Sequence, residues 1–261
     1  MIALENVWLQ LGDRMVLRDI SLDVQSGETR VILGGSGSGK TTILRLILGL
    51  YRPDKGSILV GGRDITRLSE LDLFEVRQEM AMVFQGAALF DSLTVRENVG
   101  YRLWERRLLS DEEIEQIVQE SLRFVGLEDT LDKMPAELSG GMRKRVGIAR
   151  ALASGAKVLL YDEPTAGLDP VNTCMVNRLI ARLKEKGVTQ VVVTHDLPTA
   201  YEVADRIVMV QKGRSVFDGT SEQLRSSDER AVREFLDPSS LPQEWTPAPN
   251  ADRQPTLEDA P

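Results

Sequence analysis

The chain has 261 residues, a formal net charge of -8 at pH 7 and a hydrophobic content of 42%. This length and composition predict one large or two smaller globular lobes with a sizeable core. The excess of acidic residues argues against non-specific nucleic-acid binding, which needs a concentrated basic face. A single cysteine, Cys174, excludes an intrachain disulfide and a multi-thiolate metal site, and it is typical of a reducing cytoplasm.

The sequence contains no apolar run that approaches the roughly 18 residues of a membrane-spanning helix. Its start, MIALENVWLQLGDR, places acidic residues where a signal peptide would have a basic region followed by an apolar one. We therefore expect the chain to be neither exported nor embedded in a membrane.

Three short apolar segments at the start of the chain have strand character: IALENVWLQL, LRDISLDV and TRVILGG. They predict a small antiparallel sheet that leads into a buried strand over residues 30–33. That strand runs directly into glycines and then into KTTILRLILGL, whose apolar residues recur at helical spacing. The predicted order is therefore strand, glycine-rich loop, helix.

Strand signals vanish between about Ala87 and Ala153, which predicts a helical insert. Within this insert, Ser110 and Glu113 have the pattern of a capping box ahead of an amphipathic helix. The apolar face of that helix is expected to consist of Ile114, Ile117, Val118, Leu122 and Val125.

Strand character returns at residues 158–162, 190–195 and 206–211, in alternation with helical stretches. This alternation predicts a parallel α/β sheet. Residues 238–261 contain six of the eleven prolines and lack periodicity, so we expect a flexible acidic tail after a folded domain of residues 1–237. Trp245 is the one residue of this tail that offers an anchor for a partner, although a lone aromatic in a tail is usually solvated.

Residues 34–41, GGSGSGKT, match the pattern G-x-x-x-x-G-K-[ST], with a strand before it and a helix after it. Glycines let the backbone wrap with its N–H groups pointing inward, and the helix N-terminus adds partial positive charge, so the loop can cradle phosphates. Lys40 would reach the β- and γ-phosphates and the Thr41 hydroxyl would bind Mg²⁺. The alternative, a glycine-rich turn that happens to precede a lysine, does not account for this context.

Two adjacent carboxylates, Asp162 and Glu163, end the apolar run VLLY. Neighbouring acids repel each other unless a cation or a reaction uses them. Asp162 is expected to hold Mg²⁺ through water, and Glu163 to orient or deprotonate the water that attacks the γ-phosphorus. The chain lacks the N-K-x-D guanine signature, which argues against a GTPase.

Residues 138–142, LSGGM, precede the two acids by about 20 residues and open the stretch RKRVGIARALAS. With this motif the sequence resembles the ATP-binding-cassette (ABC) ATPase family. The matching features keep the family's order over about residues 1–220, and they are the loop 34–42, Gln85, LSGGM, Asp162-Glu163, residues 166–169 and His195. The resemblance implies an α/β fold of the P-loop NTPase class, with a parallel core sheet, an N-terminal antiparallel β subdomain and an inserted α-helical subdomain at about residues 87–153.

The resemblance also implies a homodimer in which two copies pack head to tail, with ATP between the glycine loop of one copy and the LSGGM signature of the other. It assigns catalytic roles to Glu163, His195 and Gln85, metal binding to Thr41, Gln85 and Asp162, and a contact across the dimer to Asp169. The ATP-binding residues are expected to be Gly34, Gly35, Ser36, Gly37, Ser38, Gly39, Lys40, Thr41, Thr42, Leu11 and Val16. The signature residues that face the partner's ATP are expected to be Leu138, Ser139, Gly140, Gly141 and Met142.

Several of these residues have a simpler explanation on their own. The only histidine of the chain, His195, would more often be a core or surface residue than a catalyst, and Gln85 would be a surface amide. The apolar stretch that includes Ala87–Phe90 and Leu93 fits the core and a groove for a membrane subunit equally well. Leu11 stands where the family commonly has an adenine-stacking aromatic, and Met142 stands where it usually has glutamine.

The segments FQGAALFDSLTVRENVGYRL and LSGGMRKRVGIARAL resemble the ATPase subunits of bacterial lipid transporters that work with mammalian-cell-entry-type lipid-binding proteins. This resemblance implies phospholipid transport, an integral permease partner, often a small STAS-type regulator, and a peripheral position on the cytoplasmic face of the inner membrane. Nucleic acid is not an expected partner. Two alternatives stay open: a soluble mechanical ATPase and a nucleotide-gated assembly module like those of cell-division complexes.

Overall fold

The computed structural model describes residues 2–237, which form two β-sheets surrounded by helices. The strands are β1 (Ile2–Leu11), β2 (Arg14–Val24), β3 (Thr29–Leu33), β4 (Lys55–Val60), β5 (Arg63–Asp64), β6 (Met80–Val83), β7 (Val158–Asp162), β8 (Thr189–Thr194), β9 (Arg206–Gln211) and β10 (Arg214–Gly219). The α-helices are α1 (Lys40–Ile47), α2 (Glu70–Arg77), α3 (Val95–Arg106), α4 (Asp111–Phe124), α5 (Gly140–Ala153), α6 (Pro170–Glu185), α7 (Leu197–Val203), α8 (Ser221–Arg225) and α9 (Arg230–Leu236). The predicted tail and Trp245 lie outside the described residues.

The larger sheet has six strands in the order β10-β9-β3-β8-β7-β6, and all its neighbouring strands are parallel except β10 and β9. Strands β3, β7 and β8 are buried along nearly their whole length, which explains their continuous apolar runs. Because carboxyl ends of parallel strands meet at one edge, the segments that follow these three strands come together there. The predicted parallel α/β sheet is confirmed.

The smaller sheet is antiparallel, with the order β2-β1-β4-β5. Its first two strands match the predicted ones, whereas β4 and β5 were not indicated by the sequence. Helix α1 packs between this sheet and one face of the larger sheet, in one continuous apolar cluster. Ile43, Leu44 and Ile47 of α1 are fully buried in that cluster, so the helix that follows the glycine-rich loop is held from both sides.

The elements between residues 87 and 153 are all helical: α3, α4, α5 and short 3₁₀ turns at Glu128–Thr130 and Pro135–Glu137. The predicted capping box of Ser110 and Glu113 is present at the start of α4. The apolar face of α4 consists of the predicted residues. It packs into the core cluster on the second face of the larger sheet. Within residues 2–237, no helix combines the length and the apolar character needed to cross a bilayer.

The core beside the larger sheet allows us to predict how a substitution changes the free energy of unfolding. Leu183 of α6 has no exposed surface, and Leu183→Ala would leave a cavity there, so we expect a loss of about 2–5 kcal/mol in the free energy of unfolding. The matched variant Leu71→Ala removes the same atoms from a side chain that is 78% exposed. Urea unfolding should show a change below about 0.5 kcal/mol for this control; similar losses in both variants would contradict the assigned core.

Candidate active site

The glycine-rich loop between β3 and α1 requires glycine for steric reasons. A Cβ on Gly34 would lie 2.2 Å from the Val210 carbonyl oxygen, and one on Gly39 would lie 2.6 Å from Leu17 Cδ2. Lys40, the first residue of α1, donates from Nζ to the carbonyl oxygens of Gly34 at 2.8 Å and Gly35 at 3.0 Å. The loop therefore already surrounds the lysine ammonium at the N-terminus of a buried helix, where anions bind favourably.

Ser38 in this loop supplies a second sign of a ligand site. Its Oγ is buried and has no hydrogen-bond partner among residues 2–237. Buried hydroxyl groups without a partner are rare in native structures because they lose their hydrogen bonds to water. Gly35, Ser36 and Gly37 are exposed beside it, and Thr42 is half-buried in α1. An anion in the loop would meet both a free hydroxyl group and accessible backbone.

The loop opens onto a cavity of about 760 Å³. Of the two residues expected beside the base of ATP, Val16 lines this cavity and Leu11 does not. Arg14, Arg18 and Lys212 bring positive charge to the wall, and Phe235 of α9 brings an aromatic side chain. Sequence reasoning missed Phe235, because only the folding of the chain brings a helix near residue 235 back to a loop at residues 34–41.

Asp162, at the end of β7, lies against the first turn of α1. The Thr41 hydroxyl donates to Asp162 Oδ1 at 2.9 Å. Burial raises the pKa of Asp162 above its usual value, and the hydrogen bond from Thr41 opposes that shift. A hydroxyl and a carboxylate oxygen are ligands that Mg²⁺ prefers. Among residues 2–237 no cluster of three His, Cys, Asp or Glu residues can hold a metal alone, so an ion here needs further oxygen ligands from the nucleotide or water.

Glu163 follows in a left-handed backbone conformation with φ 49°, which is uncommon for a residue with a side chain. Its carboxylate is 12% exposed: Oε1 lies 3.5 Å from Lys40 Nζ, and Oε2 lies 2.9 Å from His195 Nδ1. Thr194 also donates to Oε2, at 3.2 Å. The second acid is thus held between the ammonium group of the loop and the only histidine of the chain.

Lys144 of α5 reaches the same residue from the signature side, and sequence reasoning missed this contact. Its Nζ donates to the Glu163 carbonyl oxygen at 3.2 Å, and burial lowers its pKa. In the sequence Lys144 belongs to the basic run RKR, which reads as a solvated helix face. In the folded chain, Glu163, which follows β7, lies beside α5. Lys144 therefore contacts the backbone of Glu163.

The LSGGM motif forms the start of α5. Ser139 is the N-cap, and its exposed Oγ accepts from the Met142 backbone N–H at 3.3 Å. Gly140 is exposed, whereas Gly141 packs so closely on Asn172 that a Cβ would lie 2.1 Å from its Oδ1. Leu138 lies in the core and Met142 is half-buried. Ser139 and Gly140 therefore face solvent in the single chain, whereas Gly141 does not.

Asp169 is the N-cap of α6 and is also exposed. It accepts from the Asn172 backbone at 2.9 Å and from Asn172 Nδ2 at 2.5 Å, and these hydrogen bonds lower its pKa. Because Asn172 also packs on Gly141, one side chain connects Asp169 to the signature helix. Asn172 is a third residue that sequence reasoning did not single out.

Gln85 lies exposed in the loop after β6, and its side chain forms no hydrogen bond within residues 2–237. The structure therefore does not join it to Thr41 or Asp162 in the single chain. The apolar stretch after it divides between the two expected roles: Ala87 is buried, whereas Ala88 and Phe90 line an exposed groove of about 390 Å³. Other residues of this groove are Met82, Phe84 and Tyr101.

Comparison with known proteins gives the family of the chain. The family described as "ABC transporter" matches residues 17–166. The chain belongs to the ABC transporter family. It is an ATPase of the ATP-binding-cassette type, which confirms the resemblance found in the sequence.

Relatives of this ATPase differ in the transport named for them. It is 40% identical over 237 residues to the intermembrane phospholipid transport system ATP-binding protein MlaF of Haemophilus influenzae, and the match covers 90% of each chain. It is 40% identical to the probable ribonucleotide transport ATP-binding protein mkl of Mycobacterium leprae, over 90% of this chain and 68% of that protein.

Among solved structures, it is similar to the dimeric ATP-binding cassette MJ0796 in a post-hydrolysis state bound to ADP and Pi. The TM-score is 0.77, the identity 33%, and the match covers 85% of this chain and 99% of that one. This likeness supports the fold assigned above, including the parallel sheet and the antiparallel one.

The loop geometry predicts the effect of removing its lysine. Lys40→Ala deletes the ammonium group at the centre of the loop, and we expect ATP to bind about 10- to 100-fold more weakly, as lost hydrogen bonds to a charged group imply. Isothermal titration calorimetry should show this loss, with the exposed Lys133→Ala as the matched control. Unchanged ATP affinity in Lys40→Ala would contradict the role of the loop.

Proposed function

We propose that this chain is the ATP-hydrolysing subunit of a transporter that moves phospholipid across or from the inner membrane, and that it works as a homodimer. The observation that carries the catalytic part is the position of Glu163, with its carboxylate between Lys40 and His195. Asp162 and Thr41 form an oxygen-rich site directly beside it. The residues proposed as general base, phosphate cradle and metal ligands therefore lie together at one edge of the sheet.

In this mechanism the backbone N–H groups of loop 34–39 and Lys40 bind the β- and γ-phosphates of ATP. Thr41, Asp162 and Gln85 would hold Mg²⁺, which neutralises charge on the phosphate oxygens. Glu163 orients the attacking water and accepts its proton as the oxygen bonds to the γ-phosphorus and the bond to ADP breaks. Such a base typically contributes about 10²- to 10⁴-fold to the rate. His195 keeps the Glu163 carboxylate in position through its Nδ1.

The signature supports the dimeric part of the proposal. In the single chain, the Ser139 hydroxyl group and Gly140, the first residue of α5, are exposed at a helix N-terminus, a position that favours an anion. A second copy placed head to tail would direct them at the γ-phosphate in the other chain's loop. Asp169, exposed and ionised beside the signature, would then approach the partner's site. The similar cassette MJ0796 is described as dimeric.

The groove lined by Phe84, Phe90 and Tyr101 supports a membrane partner. These aromatic side chains are each more than 40% exposed, and the Phe90 and Tyr101 rings lie tilted against each other with centroids 4.7 Å apart. An integral permease could insert a helix there and so receive the movement of the loop that begins at Gln85. The chain would then lie on the cytoplasmic face of the inner membrane.

Phospholipid is proposed as the substrate because of the similarity to MlaF, whose name states that transport. A lipid-binding protein of the mammalian-cell-entry type and a small STAS-type regulator belong to the same proposal. The mkl relatives, named for ribonucleotide transport, favour a second candidate substrate. Proteoliposomes that contain the chain and its native membrane partner should move labelled phospholipid when ATP is added. Movement of a labelled ribonucleotide instead would contradict the lipid proposal.

The catalytic assignment predicts the behaviour of Glu163→Gln. The amide keeps the size of the side chain but cannot accept the proton, so we expect ATP hydrolysis to fall by at least about 10²-fold while ATP still binds. The ATP-bound dimer should then accumulate in size-exclusion chromatography. Glu112→Gln, in the exposed first turn of α4, is the matched control and should hydrolyse ATP normally. Wild-type turnover in Glu163→Gln would remove Glu163 from this role.

A further inference from the structure

A pocket of about 270 Å³ lies where α4, α5 and α6 meet, outside the nucleotide site. Four arginines line it, and no acidic side chain does. Its remaining walls are apolar, so it combines concentrated positive charge with a hydrophobic floor. We call it the arginine pocket, and its defining residues are Arg123, Phe124, Arg145, Met175, Arg178 and Arg182.

Two of these arginines are held in place by the carbonyl groups at the end of α4. Arg182 Nη1 donates to the Phe124 oxygen at 3.1 Å, and its guanidinium lies 4.2 Å from the centre of the Phe124 ring. Arg145 Nη1 donates to the oxygens of Val125 at 2.9 Å and Gly126 at 3.3 Å. Their second terminal nitrogens form no hydrogen bond within residues 2–237. These groups are therefore ordered before any ligand arrives, which lowers the entropy cost of binding.

The other two arginines, Arg123 and Arg178, are exposed, and their side chains form no ion pair or hydrogen bond with another described residue. Arg145 Nε is buried and likewise lacks a partner within residues 2–237. The chain has 40 acidic residues against 32 basic ones, yet none of the four arginines forms an ion pair within the described part. Like charges this close repel one another unless an anion lies between them.

The position of the pocket on α5 argues against a membrane surface as the anion. Arg145 faces the arginine pocket, whereas Arg150 and Ala151 line the aromatic groove proposed for the permease. At 3.6 residues per turn, these two positions lie about 120–140° around the helix from Arg145. A ligand of the arginine pocket therefore approaches from a different side of the helix than the permease.

The apolar floor argues against a small inorganic anion, which would leave it uncovered. Phe124, Met175 and Leu179 form that floor, and the Met175 side chain is 43% exposed. Carboxylates suit the arginines because guanidinium groups bind them through paired hydrogen bonds. The net charge of -8 opposes the approach of an extended polyanion, and a short acidic segment meets less of this repulsion.

We propose that the arginine pocket binds an acidic segment of a partner protein, with carboxylates on Arg123 and Arg178 and one apolar side chain against Phe124 and Met175. The occupant would bridge α4 of the helical part and α6, the helix that begins at Asp169. This surface is separate from the nucleotide cavity and from the aromatic groove.

The test uses the full chain and a fluorescein-labelled peptide of the sequence Gly-Glu-Leu-Glu-Glu-Leu-Glu-Gly, followed by fluorescence anisotropy. We expect wild-type protein to bind it, and added salt to weaken binding because the contacts are ionic. The double variant Arg123→Glu/Arg178→Glu should bind at least about tenfold more weakly. The matched double variant Arg107→Glu/Arg214→Glu makes the same charge change at exposed arginines elsewhere and should bind like wild type.

Thermal unfolding and ATP hydrolysis should be unchanged in both double variants. None of the substituted arginine side chains has a hydrogen-bond partner within the described residues. Equal peptide binding by the two double variants, or none by wild type, would overturn the proposal. If wild type does not bind the peptide, two further assays identify the ligand: binding to phosphatidylglycerol vesicles and self-association without ATP. Loss of either activity in Arg123→Glu/Arg178→Glu would also overturn the proposal. Those results would assign the pocket to lipid or to a second copy.

Discussion

The site depends on one constraint, the register of three parallel strands that end at the same edge. Asp162 pairs with Val193, and Leu33 pairs with Thr194, so the ends of β3, β7 and β8 are level. The Glu163 N–H donates to the Val193 oxygen at 2.9 Å, which extends the ladder one residue beyond β7. A shift of one residue would turn the carboxylates away from the glycine-rich loop. The sheet register therefore fixes the relative positions of the glycine-rich loop, the two acids and His195.

The charges at this edge support the proposed binding of a nucleotide and a cation. Asp162 is half-buried beside a second carboxylate, and burial raises its pKa, so a cation at this position would stabilise its charged form. Lys40 lies near Glu163 but is also bound to two loop carbonyls. A divalent cation and phosphates would supply the missing partners on both sides. The exposed signature, one chain away in the proposed dimer, would complete the enclosure of ATP.

The sequence predicted the motifs well because each one follows directly from local order: strand, glycines, helix, and paired acids at the end of an apolar run. It did not indicate β4, β5, β6 or β10, which are short or have weak alternation, nor did it decide the role of the stretch 87–93. Phe235, Lys144 and Asn172 were missed because their contacts depend on tertiary structure alone. The arginine pocket was missed for the same reason, since its residues come from three helices and each one looks like an ordinary surface cation.

The most direct measurement is an inter-subunit cross-link between the glycine loop and the signature. Ser36→Cys and Ser139→Cys, combined in the Cys174→Ser and Glu163→Gln background, would place one new thiol in each half of the proposed ATP sandwich. Oxidation should give a covalent dimer when ATP and Mg²⁺ are present, and little without nucleotide. ATP binding without any cross-linked dimer, or cross-linking that is the same with and without nucleotide, would contradict the head-to-tail arrangement.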